Sequence, residues 1–413
     1  MGVVCPASEV PGHVLTPLPG GDTHFERDSL VCWDEEGCLI APERNRSKVE
    51  PVRDLDAGCL LVPGLVDVHV HLPQVRVRGR FQEALLPWLQ EHIWPEEERF
   101  SAPGYREQVV DEFRTGLLRA GTTTAMVYGA PQANSAEAVL EGLSPLRAKG
   151  GDVLMDQNGP EDLLRGAENA LEEAATHVQV YGERYALTPR FAPSCSLGLL
   201  EGCGRLLSGT TARLQTHLAE NKDEVAWVHD LFPQARSYTA LYADCGLLGP
   251  RSVFGHCIHV DDEDLGLLSR SGSWVAHCPT SNVALGSGRM PIERLLGAGV
   301  SVALATDVGA GPDLSMLDVM RSYLEVHRGF LSPDPGQALA LASLAGAQSL
   351  GEGNRLGALV PGRQADLVAL RIPGGLRRGE SGKDALWRLL SEFRGRYEDA
   401  VAGVWIAGVR VSV

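Results

Sequence analysis

The stretch Val66–Gln74 reads VDVHVHLPQ and sets His69 and His71 one residue apart, with Asp67 before them. Side chains two apart on a strand share a face. Val66, Val68 and Val70 therefore point one way, and Asp67, His69 and His71 the other. An HxH pair alone is commonly no more than the wet face of a half-exposed sheet. Here the surrounding run from Leu60 to Leu72 is almost wholly apolar, with Pro63 and Gly64 marking the strand's start. That is the pattern of a strand covered on both faces. Two imidazoles inside such a strand suggest a shared metal ion, for which neutral imidazole is a common ligand.

Further groups with chemical potential follow. Arg190 and Phe191 end YALTPRF, His217 lies in ARLQTHL, His256 in SVFGHC, His277 in SWVAHC and Asp307 in VSVALATD. Three imidazoles and a carboxylate make a suitable zinc site with a position left for water. Zinc lowers the pKa of such a water to about 7, and a hydrolase then needs a proton shuttle. Glu220 lies three residues after His217, where a turn could bring both to one point. Taken alone it reads as a solvated glutamate at a helix start, and HCPTSN around His277 as a tight turn locking the rim.

The elements that must carry these groups are short apolar runs. They fall at 66–71, 122–129, 152–157, 185–191, 212–218, 252–257, 273–278 and 300–307. Helix-like stretches such as SAEAVLEGLSPLRA and EDLLRGAENALEEAATHV lie between most of them. Alternation of strand and helix predicts a parallel sheet, and eight units predict an α/β (β/α)8 TIM-like barrel. Strand ends of a barrel point into its active site, where the polar residues above fall. The long stretch after His71, with LLPWLQEHIWPEEERF, predicts a lid or pocket wall. Residues 1–62 and 357–413 are β-like, and both chain ends are expected to build one small β-sandwich domain around a barrel at 63–356. GGLRRGESGKD (374–384) reads as a flexible loop.

The 413 residues exceed one ordinary core, though a barrel can use about 250 of them. The net charge of −16 argues against nucleic-acid or anionic-membrane partners, whose surfaces would repel it. No stretch reaches the roughly 20 apolar residues of a spanning helix, and no signal peptide is expected. Gly2 suggests myristoylation, but Pro6 stands where that motif wants Ser or Thr. Nine cysteines without a CxxC pair predict scattered thiols in a reducing compartment, and so a cytoplasmic protein.

VDVHVH, THLAE, FGH and ATDVG, in this order, resemble the amidohydrolase superfamily over about the whole chain. The strings PGLVDVHVHLPQ, TPRFAPSCS, THLAENKDEV, HCPTSN and TDVGAG are similar to its guanine-deaminating members. The resemblance implies zinc ligands at His69, His71, His217 and Asp307, a proton shuttle at Glu220, and a histidine at His256 that orients the attacking water. It implies purine contacts at Gln74, Arg190 and Phe191. It further implies one zinc per chain, since YALTPRF holds no bridging lysine, and a homodimer. The expected activity is hydrolytic deamination of guanine to xanthine and ammonia. Another aminated ring (a modified purine, a pterin or a triazine) would need the same zinc chemistry. A catalytically silent scaffold would be expected to have lost ligands, and every candidate ligand is present.

Overall fold

A computed structural model describes residues 8–19, 21–42, 58–81, 85–132 and 134–412. Gly2, Cys5 and Pro6 lie outside the described residues. The contacts divide the chain into two compact units. One takes the described residues of Met1–Asp67 with Thr115–Thr124 and Leu314–Val413, and the other Val68–Arg114 with Ala125–Asp313. No helix among the described residues is long and apolar enough to cross a membrane.

In the second unit every expected run contains a strand. Leu65–His71, which enters this unit at Val68, is buried at all seven positions, as a strand covered on both faces must be. It belongs to a three-stranded sheet with Thr122–Tyr128 and Arg147–Gly151. Val153–Leu154, Ala186–Pro189, Arg213–Leu218, Ser252–His256, Trp274–His277 and Ser301–Leu304 form a six-stranded sheet in chain order. Its neighbouring strands are paired in parallel. Their register sets His217 beside Gly255 and Leu218 beside His256.

Of the helix-like stretch SAEAVLEGLSPLRA, only the first part is helical. The helix is Ser135–Leu140, and Arg147 already begins a strand. Pro145 cannot continue a helix, which is why the segment turns. The 152–157 run is likewise only the end of a longer extended segment that changes sheets near Gly150. A Cβ at Gly150 would lie 2.1 Å from the Val127 carbonyl oxygen, so only glycine permits that approach.

In the first unit both chain ends meet in one seven-stranded sheet. Its order runs Val409–Arg410, Val401–Ile406, Leu367–Leu370, Leu60–Pro63, Ser8–Pro17, Thr23–Trp33, Leu39–Ile40. Leu60–Pro63 is the join, parallel to Ser8–Pro17 and antiparallel to Leu367–Leu370. Val10, Val31, Trp33, Leu61, Leu367 and Trp405 gather in one buried cluster. Each large apolar side chain so buried contributes about 1.5–3 kcal/mol. The segment expected to be a loop at 374–384 ends earlier. Ser381 Oγ accepts from Asp384 N at 3.2 Å, capping a helix at Gly382–Glu392.

One ion pair ties the sheet-changing segment to the helix Ala167–Tyr181. His177 Nδ1 lies 2.9 Å from Asp152 Oδ2, and Asp152 Oδ1 also accepts from Ala136 N at the start of Ser135–Leu140. The adjacent Asp152 carboxylate raises the His177 pKa above its ordinary 6.5, against the opposing effect of burial. A histidine raised on folding contributes stability that is complete below its unfolded pKa and is lost as pH rises through the folded one. Urea unfolding of the parent should therefore show this contribution near pH 6 and its loss in alkali. His177→Gln should be the less stable protein near pH 6 and approach the parent at high pH. A stability gap independent of pH would refute the ion-pair contribution.

Candidate active site

The ends of the first and last strands are locked together by backbone. Asp307 N donates to His69 O at 2.8 Å, and His71 N donates to Val308 O at 2.6 Å. Asp307 lies at φ 53°, in the left-handed region that costs a non-glycine residue about 1–3 kcal/mol. His256 shares that feature at φ 71°. Strain of this kind turns side chains at strand ends toward a common point.

That point is crowded with lone pairs. His69 Nε2 and His71 Nε2 are 3.2 Å apart, and lie 3.3 and 3.2 Å from Asp307 Oδ1. His69, His217, His256 and Asp307 offer donor atoms that all fall within 4.8 Å of one another. The ring of His217 stacks between His71 and His256, with centroids 5.3 and 5.5 Å away. His69 lies over Gly255, where a Cβ would come within 2.6 Å of its ring. The glycine of FGH is thus required by the histidine it faces.

Partners behind the rings aim them. His217 donates Nδ1–H to the Arg190 carbonyl at 2.6 Å, because a carbonyl can only accept. His256 donates Nδ1–H to Asn282 Oδ1 at 3.0 Å. Either neutral ring then presents an Nε2 lone pair, the arrangement that orients metal-ligating histidines. Burial lowers the His69 pKa, lowers that of His217 well below its usual value, and pushes His71 down to about 4. Three imidazoles therefore favour the neutral, ligating form.

This donor set fits zinc. Tetrahedral bonds of about 2.0–2.1 Å place neighbouring ligand atoms roughly 3.4 Å apart, close to the 3.2–3.3 Å spacings here. His256 extends the set to five groups.

Glu220 enters beside it, buried, with Oε2 3.5 Å from His256 Nε2 and Oε1 accepting from Ser287 Oγ at 3.0 Å. Its backbone N–H is held by Glu224 Oε2 at 2.8 Å within the capping box of Lys222–Leu231. Burial raises the Glu220 pKa. Burial would lower that of His256, but the facing Glu220 and Asp307 carboxylates raise it overall. A carboxyl raised toward neutrality, next to one held well below its usual range as Asp307 is, suits proton transfer in both directions. In Asp307, hydrogen bonds from His69 and His71 overcome the opposing effect of burial.

One pocket joins these groups to the expected binding residues. It is lined by His71, His217, His256, Asp307 and Glu220, together with Gln74, Arg190 and Phe191. Trp88 and Leu89 of LLPWLQ complete it with Leu285 and Ala310, so the long stretch after the first strand does supply a wall. His277 is buried at its strand end but does not line the pocket. Reading the sequence missed Glu97, Asn282 and Ser287. Asn282 lies in HCPTSN, whose role is thereby larger than a turn.

The chain belongs to the amidohydrolase family, which it matches over residues 60–411. Among its relatives are enzymes that act on guanine. It is 41% identical to the probable guanine deaminase of Deinococcus radiodurans over 392 residues, covering 90% of this chain and 87% of that one. It is 37% identical to the guanine deaminase of Escherichia coli K12, covering 77% and 74%. The solved E. coli guanine deaminase superposes with a TM-score of 0.89 at 31% identity, covering 98% of this chain and 99% of that one.

Asn282→Leu should leave the buried His256 Nδ1–H without an acceptor. The expected loss is about 1–3 kcal/mol of stability, read from urea unfolding. An unchanged midpoint would mean that the contact does not constrain the ring.

Proposed function

We propose that this chain is a zinc-dependent hydrolase that converts guanine to xanthine and ammonia. The observation that carries the reading is the single pocket. It pairs a compact His/Asp donor cluster and a buried glutamate with an arginine, an amide and an aromatic ring. Relatives that act on guanine, at 30–41% identity, support it.

In this reading His69, His71, His217 and Asp307 hold the metal, with His256 beside it. Zinc, when bound, makes water acidic enough to supply a nucleophile near neutral pH. Phe191 offers a flat apolar face to the base. Arg190 donates to the C6 oxygen, and Gln74 reads an amide-like edge. Asp307 takes the proton of the water whose oxygen bonds to C2. Glu220 gives a proton to N3 as that carbon becomes tetrahedral. Asp307 then passes its proton to the exocyclic amine while the Glu220 carboxylate takes the remaining hydroxyl proton, so the C2–N bond breaks, the C2 carbonyl forms and ammonia leaves. His256 orients the water and steadies developing charge.

The same reading takes the three-stranded and six-stranded sheets as parts of a (β/α)8 barrel spanning 63–356. The backbone bonds between His69–His71 and Asp307–Val308 support closure. The seven-stranded sheet of 1–62 and 357–413 is then a small sandwich, whose single cluster of residues from both chain ends supports it. Homodimer assembly follows the family resemblance, and a cytoplasmic location follows the scattered thiols.

Ammonia release should strongly favour guanine over adenine. Adenine places a donor at C6, leaving the buried Arg190 guanidinium facing another donor. A site built for a polar group rejects such an analogue by about 10⁴-fold. Comparable rates on both bases would defeat the guanine assignment.

Glu220→Gln should lower kcat by at least about 10²-fold, the scale of general acid–base catalysis. Elemental analysis should find about one zinc per chain in both parent and variant. Near-normal turnover would return Glu220 to a structural role, and a protein that neither holds nor responds to zinc would remove the metal from the mechanism.

A further inference from the structure

Arg190 and Gln74 meet at a third residue. Glu97 lies on the short helix Trp94–Arg99 in the stretch after the first strand, with a side chain 1% exposed. Its Oε2 accepts from Arg190 Nη1 at 2.7 Å, and its Oε1 accepts from Gln74 Nε2 at 2.8 Å. Its backbone carbonyl is pinned by Gln132 Nε2 at 2.9 Å and by Phe100 N at 3.1 Å. Glu97 does not itself line the pocket.

We propose that Glu97 is a specificity-positioning residue, which holds Arg190 as a donor and locks Gln74 with its oxygen as the acceptor that reads the base. The proposal rests on the guanine reading of the pocket. An amide can face either way, but a carboxylate only accepts, so Gln74 must turn its NH2 toward Glu97. The opposite neighbour demands the same orientation, because Gly309 N donates to Gln74 Oε1 at 3.3 Å. Arg190 is restrained likewise: one Nη1 donor is engaged, and the planar fork fixes where the other donors point. The pocket therefore offers an acceptor from Gln74 and donors from Arg190. Its complement is a base that presents an N–H to the first and a carbonyl oxygen to the second. Freed from Glu97, the amide could flip and the guanidinium could swing, and either movement erases the pattern.

The test compares guanine with 2,6-diaminopurine, which keeps the C2 amine but carries a donor at C6. In Glu97→Gln, kcat/KM for guanine should fall by about 10²-fold, the usual consequence of a misplaced positioning group. The loss should lie mainly in KM, with zinc content unchanged. Activity on 2,6-diaminopurine should change far less, so that the preference for guanine falls at least ~10-fold. An equal fall on both substrates would mark Glu97 as merely structural, and an unchanged preference would equally overturn the proposal. Glu97→Gln leaves a buried arginine unpaired and could fold poorly. The double variant Glu97→Gln/Arg190→Met removes both charges and is compared with Arg190→Met alone. Coupled residues should show non-additive losses, so the second substitution should add little beyond freeing Gln74; full additivity refutes the coupling. A parent protein inert toward guanine would instead refute the substrate reading, a result distinct from a variant that keeps its selectivity.

Discussion

Two backbone hydrogen bonds determine where everything else in the site must stand. Asp307 N to His69 O and His71 N to Val308 O register the exit of the last strand against the end of the first. This register carries the Asp307 carboxylate to within 3.3 Å of both HxH imidazoles. Had the pairing slipped by one residue, alternate side chains would exchange faces and the carboxylate would miss them. The positive φ of Asp307 belongs to the same constraint, since the chain must turn sharply to aim a short side chain inward. The remaining ligating candidates arrive from separate strands, and each ring is aimed by an acceptor behind it.

Electrostatics follow from this crowding. Burial favours the neutral form of His69, His71 and His217 and raises the Glu220 pKa, while hydrogen bonds from His69 and His71 hold that of Asp307 well below its usual range. Two carboxyl groups in one pocket are thereby driven toward opposite protonation states. Separation of that kind lets one group give a proton while the other takes one, without either leaving its hydrogen bonds. Ser287 and Glu224 matter because they hold opposite ends of Glu220, one at its carboxylate and one at its backbone N–H.

Much of this was legible in the sequence because strand periodicity is strict. Alternation alone put Asp67, His69 and His71 on one face of a strand buried at every position, and each of the eight apolar runs contains a strand. What stayed illegible depends on distance across the fold. Asn282 is 26 residues from the histidine that it aims, and Glu97 is 93 from its arginine. Neither spacing has a period that a chain could display. WPEEERF offers three consecutive glutamates, and only tertiary packing separates them: Glu96 pairs with Arg99, whereas Glu97 turns inward. The change of sheets near Gly150 was hidden for another reason. RAKGG lacks the β-branched residues of a strand, and its extended form is set by close backbone approach.

The contrast between Glu97 and the ligating groups bears on how such a site diverges. The His/Asp cluster is registered by backbone bonds at the strand ends, with His217 aimed by the Arg190 carbonyl and His256 by Asn282 of the helix Pro279–Ala284. Arg190 and Gln74 are held differently: they are joined by a glutamate from a separate segment, on the stretch that also supplies Trp88 and Leu89. Replacing that segment would redirect both polar side chains and reshape the wall at once, while leaving the His/Asp cluster in place. In the proposed reading, chemistry and recognition are thus carried by separable parts of the chain, as function grafted onto a common scaffold allows.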